Sequence, residues 1–251
     1  MTPPKVKTRI WHEQPLEGNR FAPEISRMYG RDFFGSLVPG LPFTSLVMFQ
    51  IQGRRPTDHR RRWLEMILAM VSNPGLRDEA VRTGINVALA KGPPLNGLLA
   101  GLLARTGSGR GGIWIERVMG NLIRARETHA SLAGFAPDNG LGMHFGSPDQ
   151  RAVRLLPVLR RRRFLGPHTR LLIAAATGEH PILLEGLAAA GFADLGLTPV
   201  QGAALFVMAA FPALLAFTLE QREQGLKEYP TFYEPGAFSY TGPQPSPTPS
   251  R

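Results

Sequence analysis

Asn139-Gly140-Leu141-Gly142-Met143-His144-Phe145-Gly146-Ser147-Pro148-Asp149-Gln150-Arg151 is a glycine-rich loop carrying one histidine, and it runs into an arginine-rich helical pattern. Gly140, Gly142 and Gly146 let the backbone take positive φ and let a ligand approach it closely. Read as chemistry, the stretch can hold an extended, anionic ligand. Read as structure alone, it is a turn with a solvated histidine, so the flanking sequence has to decide.

Downstream, Arg151–Arg163 reads as a helix with a dense basic face ending in Arg160, Arg161, Arg162 and Arg163, although Pro157 interrupts its donor ladder. That face is either solvated or a phosphate clamp, since guanidinium groups pair bidentately with phosphate oxygens. Pro167–Thr177 and Ile182–Ala193 read as short helices. Ala203–Leu219 is nearly all apolar, but a membrane span takes about 20 residues and Pro212 lies inside it. A buried, kinked core helix is the expectation. From Thr241 the prolines 243, 245, 247 and 249 leave no apolar face, which predicts a mobile tail over 241–251.

Upstream, Ile113–Arg126 reads as a helix entered from the glycine-rich turn Thr106–Gly112, with Arg110 near its end. Asp78–Ala90 and Leu95–Ala104 are further helices, the second rich in small residues and therefore closely packed. Trp63, Met66, Ile67, Met70 and Val71 fall on one helical face, capped by Thr57 or Asp58 and stopped by Asn73-Pro74-Gly75. A helical pattern begins at Ile25, and the run Leu46–Ile51 ends at Gly53-Arg54-Arg55-Pro56. Met1–Pro23 reads as an extended arm, because its prolines and scattered charges offer no amphipathic face. No strand-like alternation persists, so the expectation is an all-α fold of about ten helices without solenoid repeats. The domain reading is an arm over 1–24, a helical domain over 25–240 and the tail.

Composition narrows the function classes. The 251 residues are 43% hydrophobic, enough for a substantial core. Without cysteine there is no disulfide framework and no thiolate zinc site, and a reducing, cytoplasmic setting is expected. Met1–Gly18 is polar and proline-containing, unlike a signal segment. The net charge of +10 suits an anionic cofactor such as coenzyme A, an acidic surface or nucleic acid. No zinc finger, RNA-binding motif or interleaved aromatic-basic pattern supports nucleic acid, and no metal site is expected.

Taken in order, these pieces resemble the short, citryl-CoA-lyase-like branch of the citrate synthase superfamily, and the corresponding C-terminal region of ATP-citrate lyase. The likeness runs over residues 25–242. Phe33-Phe34-Gly35-Ser36-Leu37 and Pro42–Leu46 stand at the family's entry helices, and Gln52–Pro56 at its Gly-Arg-Leu-Pro. Arg110-Gly111-Gly112 stands at His-Gly-Gly; Gly140-Leu141-Gly142-Met143 with Asp149-Gln150-Arg151 stands at Gly-Phe-Gly-His…Asp-Pro-Arg. Ile182–Gly186 through Asp194-Leu195-Gly196 stands at Ile-Asn-Val-Asp-Gly…Asp-Leu-Gly. Tyr229-Pro230 and Tyr240–Pro243 match the family's ending. The resemblance implies a helical homodimer with large and small subdomains, no membrane, and a CoA thioester as substrate or ligand.

The family's chemistry makes or breaks a carbon–carbon bond beside a thioester. A carboxylate handles the α-proton, and histidines polarise the two carbonyls. Carried over, the carboxylate is Glu185, the polarisers are His144 or Arg110, and CoA lies against Gly140, Gly142, Met143, Gly146 and Arg151. The departures are many. Arg110 replaces a histidine that ATP-citrate lyase also lacks, and Met143 replaces one with a thioether that cannot donate. Glu185 replaces an aspartate, and misplacing a base by ~1 Å costs on the order of 100-fold in rate. Asn73-Pro74-Gly75 replaces Asp-His-Gly, and Ala210 stands where an arginine is expected before Pro212. Three readings follow: a CoA-thioester lyase or synthase whose substrate is not citrate; a non-catalytic relative that binds CoA or serves as a partner subunit; and an anionic-surface binder using Arg160–Arg163.

Overall fold

Polar caps set many of the helix starts in the computed structural model, which describes residues 7–135, 138–225 and 242. The Thr57 side chain accepts from Arg60 N to open α3 (Asp58–Val71), as the sequence predicts. Asp78 accepts from Ala80 N to open α4 (Glu79–Leu89), and Asp149 accepts from Arg151 N to open α7 (Gln150–Arg161). A full capping box between Thr198 and Gln201 opens α10 (Pro199–Ala209). α8 (Pro167–Ala175) starts at Gly166, which has no side chain to cap it. Its free amides at His168 and Thr169 donate instead to Asp194, the last residue of α9 (Leu184–Asp194), at 2.7 and 3.1 Å.

The remaining α-helices are α1 (Val38–Gly40, one turn), α2 (Phe43–Gln52), α5 (Pro94–Arg105), α6 (Gly112–Thr128) and α11 (Phe211–Gln224), with a π-helical turn at Phe33–Leu37 and a 3-10 turn at Leu132–Phe135. α9 is the axis: Leu184 through Ala193 are all buried, and α3, α6, α8, α7 and α10 pack around it. A helix apolar all round belongs inside. Its small residues let neighbours close in; a Cβ on Gly191 would lie 2.7 Å from the Trp63 ring. A smaller cluster, Ala80, Val81, Ile85, Leu98, Ala210 and Leu214, joins α4, α5 and α11. α4 and α5 meet where Gly97 faces the Gly84 carbonyl, 2.7 Å from where a Cβ would be, so the small-residue prediction for α5 holds.

Two expectations are corrected. The N-terminal stretch is not strand-free: β1 (Trp11–Leu16), β2 (Asn19–Met28) and β3 (Arg31–Asp32) form an antiparallel sheet in that order. Ile25–Met28, read as the start of a helical pattern, ends β2, which crosses the expected boundary at residue 24/25. Most of β1 and the first half of β2 are exposed, so no alternation persists along the pair. Only the end packs: Met28 joins Leu37 and Phe49, and Trp11 meets Phe33 edge-on at 5.2 Å. Second, Ala203–Leu219 is two helices that break at Ala210, with Pro212 in the first turn of α11. The apolar run Pro199–Gln224 is long enough to cross a membrane, but Gly202, Ala203, Leu205, Phe206, Ala209, Ala210 and Leu214 are buried within the protein. The helix expected from Arg151 is present as α7, and it continues through Pro157, which sits on its solvent side. The proline-rich tail and the pieces Tyr229-Pro230 and Tyr240–Pro243 lie outside the described residues, Gly242 excepted.

Candidate functional site

The loop before α7 is held against the start of α9 by its backbone. Gly142 N donates to Pro181 O at 2.7 Å, and Leu183 N donates to Gly140 O at 3.2 Å. Gly140 has φ +80°, and a Cβ on Gly186 would overlap the Gly140 carbonyl oxygen, so both positions require glycine. Asn139 Oδ1 accepts from Leu141 N at 3.0 Å. His144 and Ser147 close a two-residue turn by exchanging backbone hydrogen bonds (2.7 and 3.2 Å), with Phe145 and Gly146 at positive φ. The amides of Leu141, Gly142, His144 and Ser147 are therefore engaged within the protein. Gly146 and Met143 lie at the exposed rim.

Two clusters of side chains result. In the first, Arg110, itself at φ +61°, reaches across to donate from Nη2 to Met143 O at 2.7 Å and from Nη1 to His144 Nδ1 at 2.9 Å. A guanidinium only donates, so Nδ1 accepts and the ring proton of neutral His144 is assigned to Nε2. Burial, then the Arg151 charge, pushes the imidazole below its ordinary value, against the pull of Asp149 and Glu185. His144 is thereby kept neutral with an N–H donor to offer.

In the second cluster, Arg151 donates to Asp149 from Nε and Nη2 at 2.9 and 2.8 Å, and from Nη2 to Glu185 Oε1 at 3.0 Å. Asp149 also accepts from the backbone amides of Arg151 and Leu184. Burial pushes the Asp149 carboxyl up, but the Arg151 hydrogen bond and the Leu184 amide more than offset this and hold it below the usual carboxylate range. Glu185 sits in the first turn of α9, where the helix dipole favours an anion. Its Oε2 is buried and has no partner. His144 and Asp149 stand on the same loop, and His144 feels the charges of Arg151, Asp149, Glu185 and Arg110, so the two clusters make one candidate site.

Of the residues the sequence pointed to, the structure joins Arg110 with His144 and the Met143 carbonyl, and Arg151 with Glu185. Asn73-Pro74-Gly75 forms a turn closed by Asn73 Oδ1, and Ala210 is fully buried among α4, α5 and α11. Sequence reading missed Asp149 as the joint of the site, although its place two residues before an arginine at a helix start is a capping signal. It also missed Arg105 and Asp78, which pair at 2.6 Å where the start of α4 and the end of α5 meet at the open end of their hairpin; no local pattern announces a pair 27 residues apart. Arg160–Arg163 are exposed and lie beside a shallow concavity of about 250 Å³ lined by Asp58, His59, Arg62, Arg162 and Phe164. Among the described residues no cluster of histidine and carboxylate groups is placed to hold a metal.

The buried axial helix α9, the glycine loop clamped to its first turn and the carboxylate on that turn sit within a citrate synthase-like helical fold. Citryl-CoA lyase from Hydrogenobacter thermophilus superposes with a TM-score of 0.80 at 23% identity, covering 97% of each chain. ATP citrate lyase from Methanothrix soehngenii, solved in complex with citrate and coenzyme A, gives 0.76 at 17% identity, covering 97% of this chain and 42% of that one. Citrate synthase from Thermotoga maritima gives 0.60 at 17% identity, covering 82% and 59%. No protein-family model and no curated protein matches the sequence.

Proposed function

We propose that the protein binds a CoA thioester and makes or breaks a carbon–carbon bond next to its carbonyl. The observation that carries this is Glu185: one oxygen is tethered by Arg151, while the other is buried and unpartnered at a helix N-terminus. A carboxylate so placed is oriented and still has a lone pair for a carbon acid. In the synthetic direction Glu185 takes the α-proton and the electron pair moves onto the thioester oxygen. His144 Nε2–H, held in tautomer by Arg110, meets that enolate oxygen. The α-carbon then attacks the carbonyl carbon of the partner, whose oxygen takes up a proton from solvent while Glu185 returns its own to solvent, so no net proton is gained or lost. Cleavage runs the same steps backward. The CoA arm is assigned to the loop of Gly140, Gly142, Met143 and Gly146, with Arg151 at its base. Citrate itself is disfavoured, since Asn73-Pro74-Gly75 brings no histidine and Ala210 no arginine.

The protein is proposed to act as a cytoplasmic homodimer. Leu95, Leu99 and Leu103 stand 60, 62 and 73% exposed at four-residue spacing on α5, a continuous apolar strip that a second copy would cover. Light scattering is expected to give a dimer for the native chain and a monomer for Leu99→Asp.

The chemical test is exchange of the acyl α-protons of acetyl-CoA with deuterium oxide, together with calorimetry of CoA, acetyl-CoA and citryl-CoA. Micromolar binding, with exchange lost by roughly 100-fold or more in Glu185→Gln, is expected. Binding without exchange supports the non-catalytic, CoA-binding alternative, and no binding of any CoA ester overturns the enzyme.

A further inference from the structure

Arg105 is the last residue of α5 and only 5% of it is exposed. Nη1 donates to Asp78 Oδ2 at 2.6 Å, and the guanidinium carbon lies 4.2 Å above the Phe206 ring. The Nε–H is buried without a partner. Asp78 cannot remedy this, because its other oxygen accepts from Ala80 N at 2.9 Å to cap α4. The pairing is therefore one-point, and the Nε–H of a five-donor fork is left over in a buried setting. A pair built only for stability would match that fork, since buried donors without acceptors weaken the folded state.

Position ties Arg105 to the site. The turn Thr106–Gly112 is closed by Ile113 N donating to Thr106 O at 3.0 Å. Gly111 is pressed so tightly that a Cβ would run into the Arg105 and Gly107 backbones. The one turn thus delivers Arg105 from its beginning and Arg110 from its end. The charges of Glu185 and Arg151 both reach Arg105. A buried cation with an unused Nε–H and a buried anion with an unused Oε2 thus belong to the same interior.

We propose that Arg105 is a binding residue for a substrate carboxylate, carried either by the acyl chain of the CoA thioester or by its carbonyl partner. This rests on the CoA-thioester reading above. A carboxylate accepts from Nε–H and an Nη–H together, the two-point geometry that a lone hydroxyl or methyl cannot supply. Asp78 and the Phe206 face hold the guanidinium ready. An uncharged substrate leaves the fork unmatched, so the site discriminates through the penalty on the wrong ligand. Arg105 then sets which acid is accepted, while Glu185 and His144 carry the chemistry.

Calorimetry on the full chain tests this with succinyl-CoA against butyryl-CoA, and with oxaloacetate added to the CoA-saturated protein, so that the two sources of the carboxylate are told apart. In the native chain, succinyl-CoA is expected to bind at least about tenfold more tightly than butyryl-CoA, or oxaloacetate to bind where butyraldehyde does not. In Arg105→Lys, which keeps a cation for Asp78, the preference is expected to collapse while binding of CoA itself is unchanged. If Arg105→Lys does not fold, the Arg105 Nε–H resonance of the native protein is followed instead, and it is expected to move with the carboxylated ligand only. Equal binding of all the probes, a preference that survives in Arg105→Lys, or an Nε–H signal that ignores the carboxylate overturns the assignment. Failure of every CoA ester to bind removes the function above as well, and is distinguished by that.

Discussion

Two carboxylates share Arg151, and they are used in opposite ways. Asp149 is fully buried and both its oxygens are occupied: by the amides of Arg151 and Leu184, and by two guanidinium nitrogens. Glu185, also buried, accepts once from Arg151 and leaves its second oxygen without a partner. Asp149 stitches the start of α7 to the start of α9, so its chemistry is complete within the protein. Glu185 is oriented by the same arginine but not saturated by it. The difference separates a structural joint from a group that remains available to a ligand.

The largest effect is expected at the joint. Asp149→Ala leaves Arg151 and the Leu184 amide without their acceptor, and breaking a buried pair from one side costs about 3–5 kcal/mol. Differential scanning calorimetry is expected to show a fall of roughly 10 °C for a domain this size. Glu185→Gln keeps an oxygen for Arg151 and changes stability by less than about 1 kcal/mol, while removing the proposed base. Equal destabilisation by the two substitutions would break the comparison.

Acid unfolding sharpens it further. The folded-state pKa of Asp149 is depressed, so its contribution is present above the unfolded value near 3.8 and is lost as pH falls through the lower folded value. The unfolded chain takes up that proton first, and stability drops. His144 has the same sign one region higher: its depressed pKa means that stability declines as pH falls below about 6.5, until the folded imidazole also protonates. Denaturant titrations at stepped pH are expected to show a small decline beginning near pH 6.5, absent in His144→Gln, and a steeper one near pH 4, absent in Asp149→Asn. A stability curve flat from pH 7 to 3 would contradict both assignments.

The helices were legible because their signals are local: Thr57 and Asp78 cap where they stand, and the Trp63–Val71 face repeats at helical spacing. The sheet was not, since β1 and the first half of β2 are almost wholly exposed, only the end of β2 packs, and their pairing shifts register at Pro15. The one available cue was Glu17-Gly18 between Leu16 and Asn19, a two-residue hairpin turn with Gly18 at φ +78°. Within the candidate site, Glu185, His144 and Arg110 were singled out by the motif order. That Arg110 grips His144, and that Arg105 is paired across the α4–α5 hairpin, depends on contacts 34 and 27 residues apart in sequence. Such pairs come from tertiary packing, which no spacing rule encodes.

The smallest effect is expected on the same helix as the joint. Arg151 opens α7 inside a network, whereas Arg160 and Arg161 close it in solvent, with Arg162 and Arg163 just beyond. Two terms oppose each other at that end. Cations in the last turn favour the helix dipole by about 0.3–1 kcal/mol each at low salt, while four adjacent like charges repel one another. Replacing Arg160–Arg163 by glutamine removes both terms, so unfolding stability is expected to move by no more than about 0.5 kcal/mol, and less at 0.5 M salt than at 20 mM. A shift as large as that of Asp149→Ala, or one indifferent to salt, would mean that the basic run is packed into the protein as firmly as Arg151 is. The contrast between the two ends of α7 would then fail.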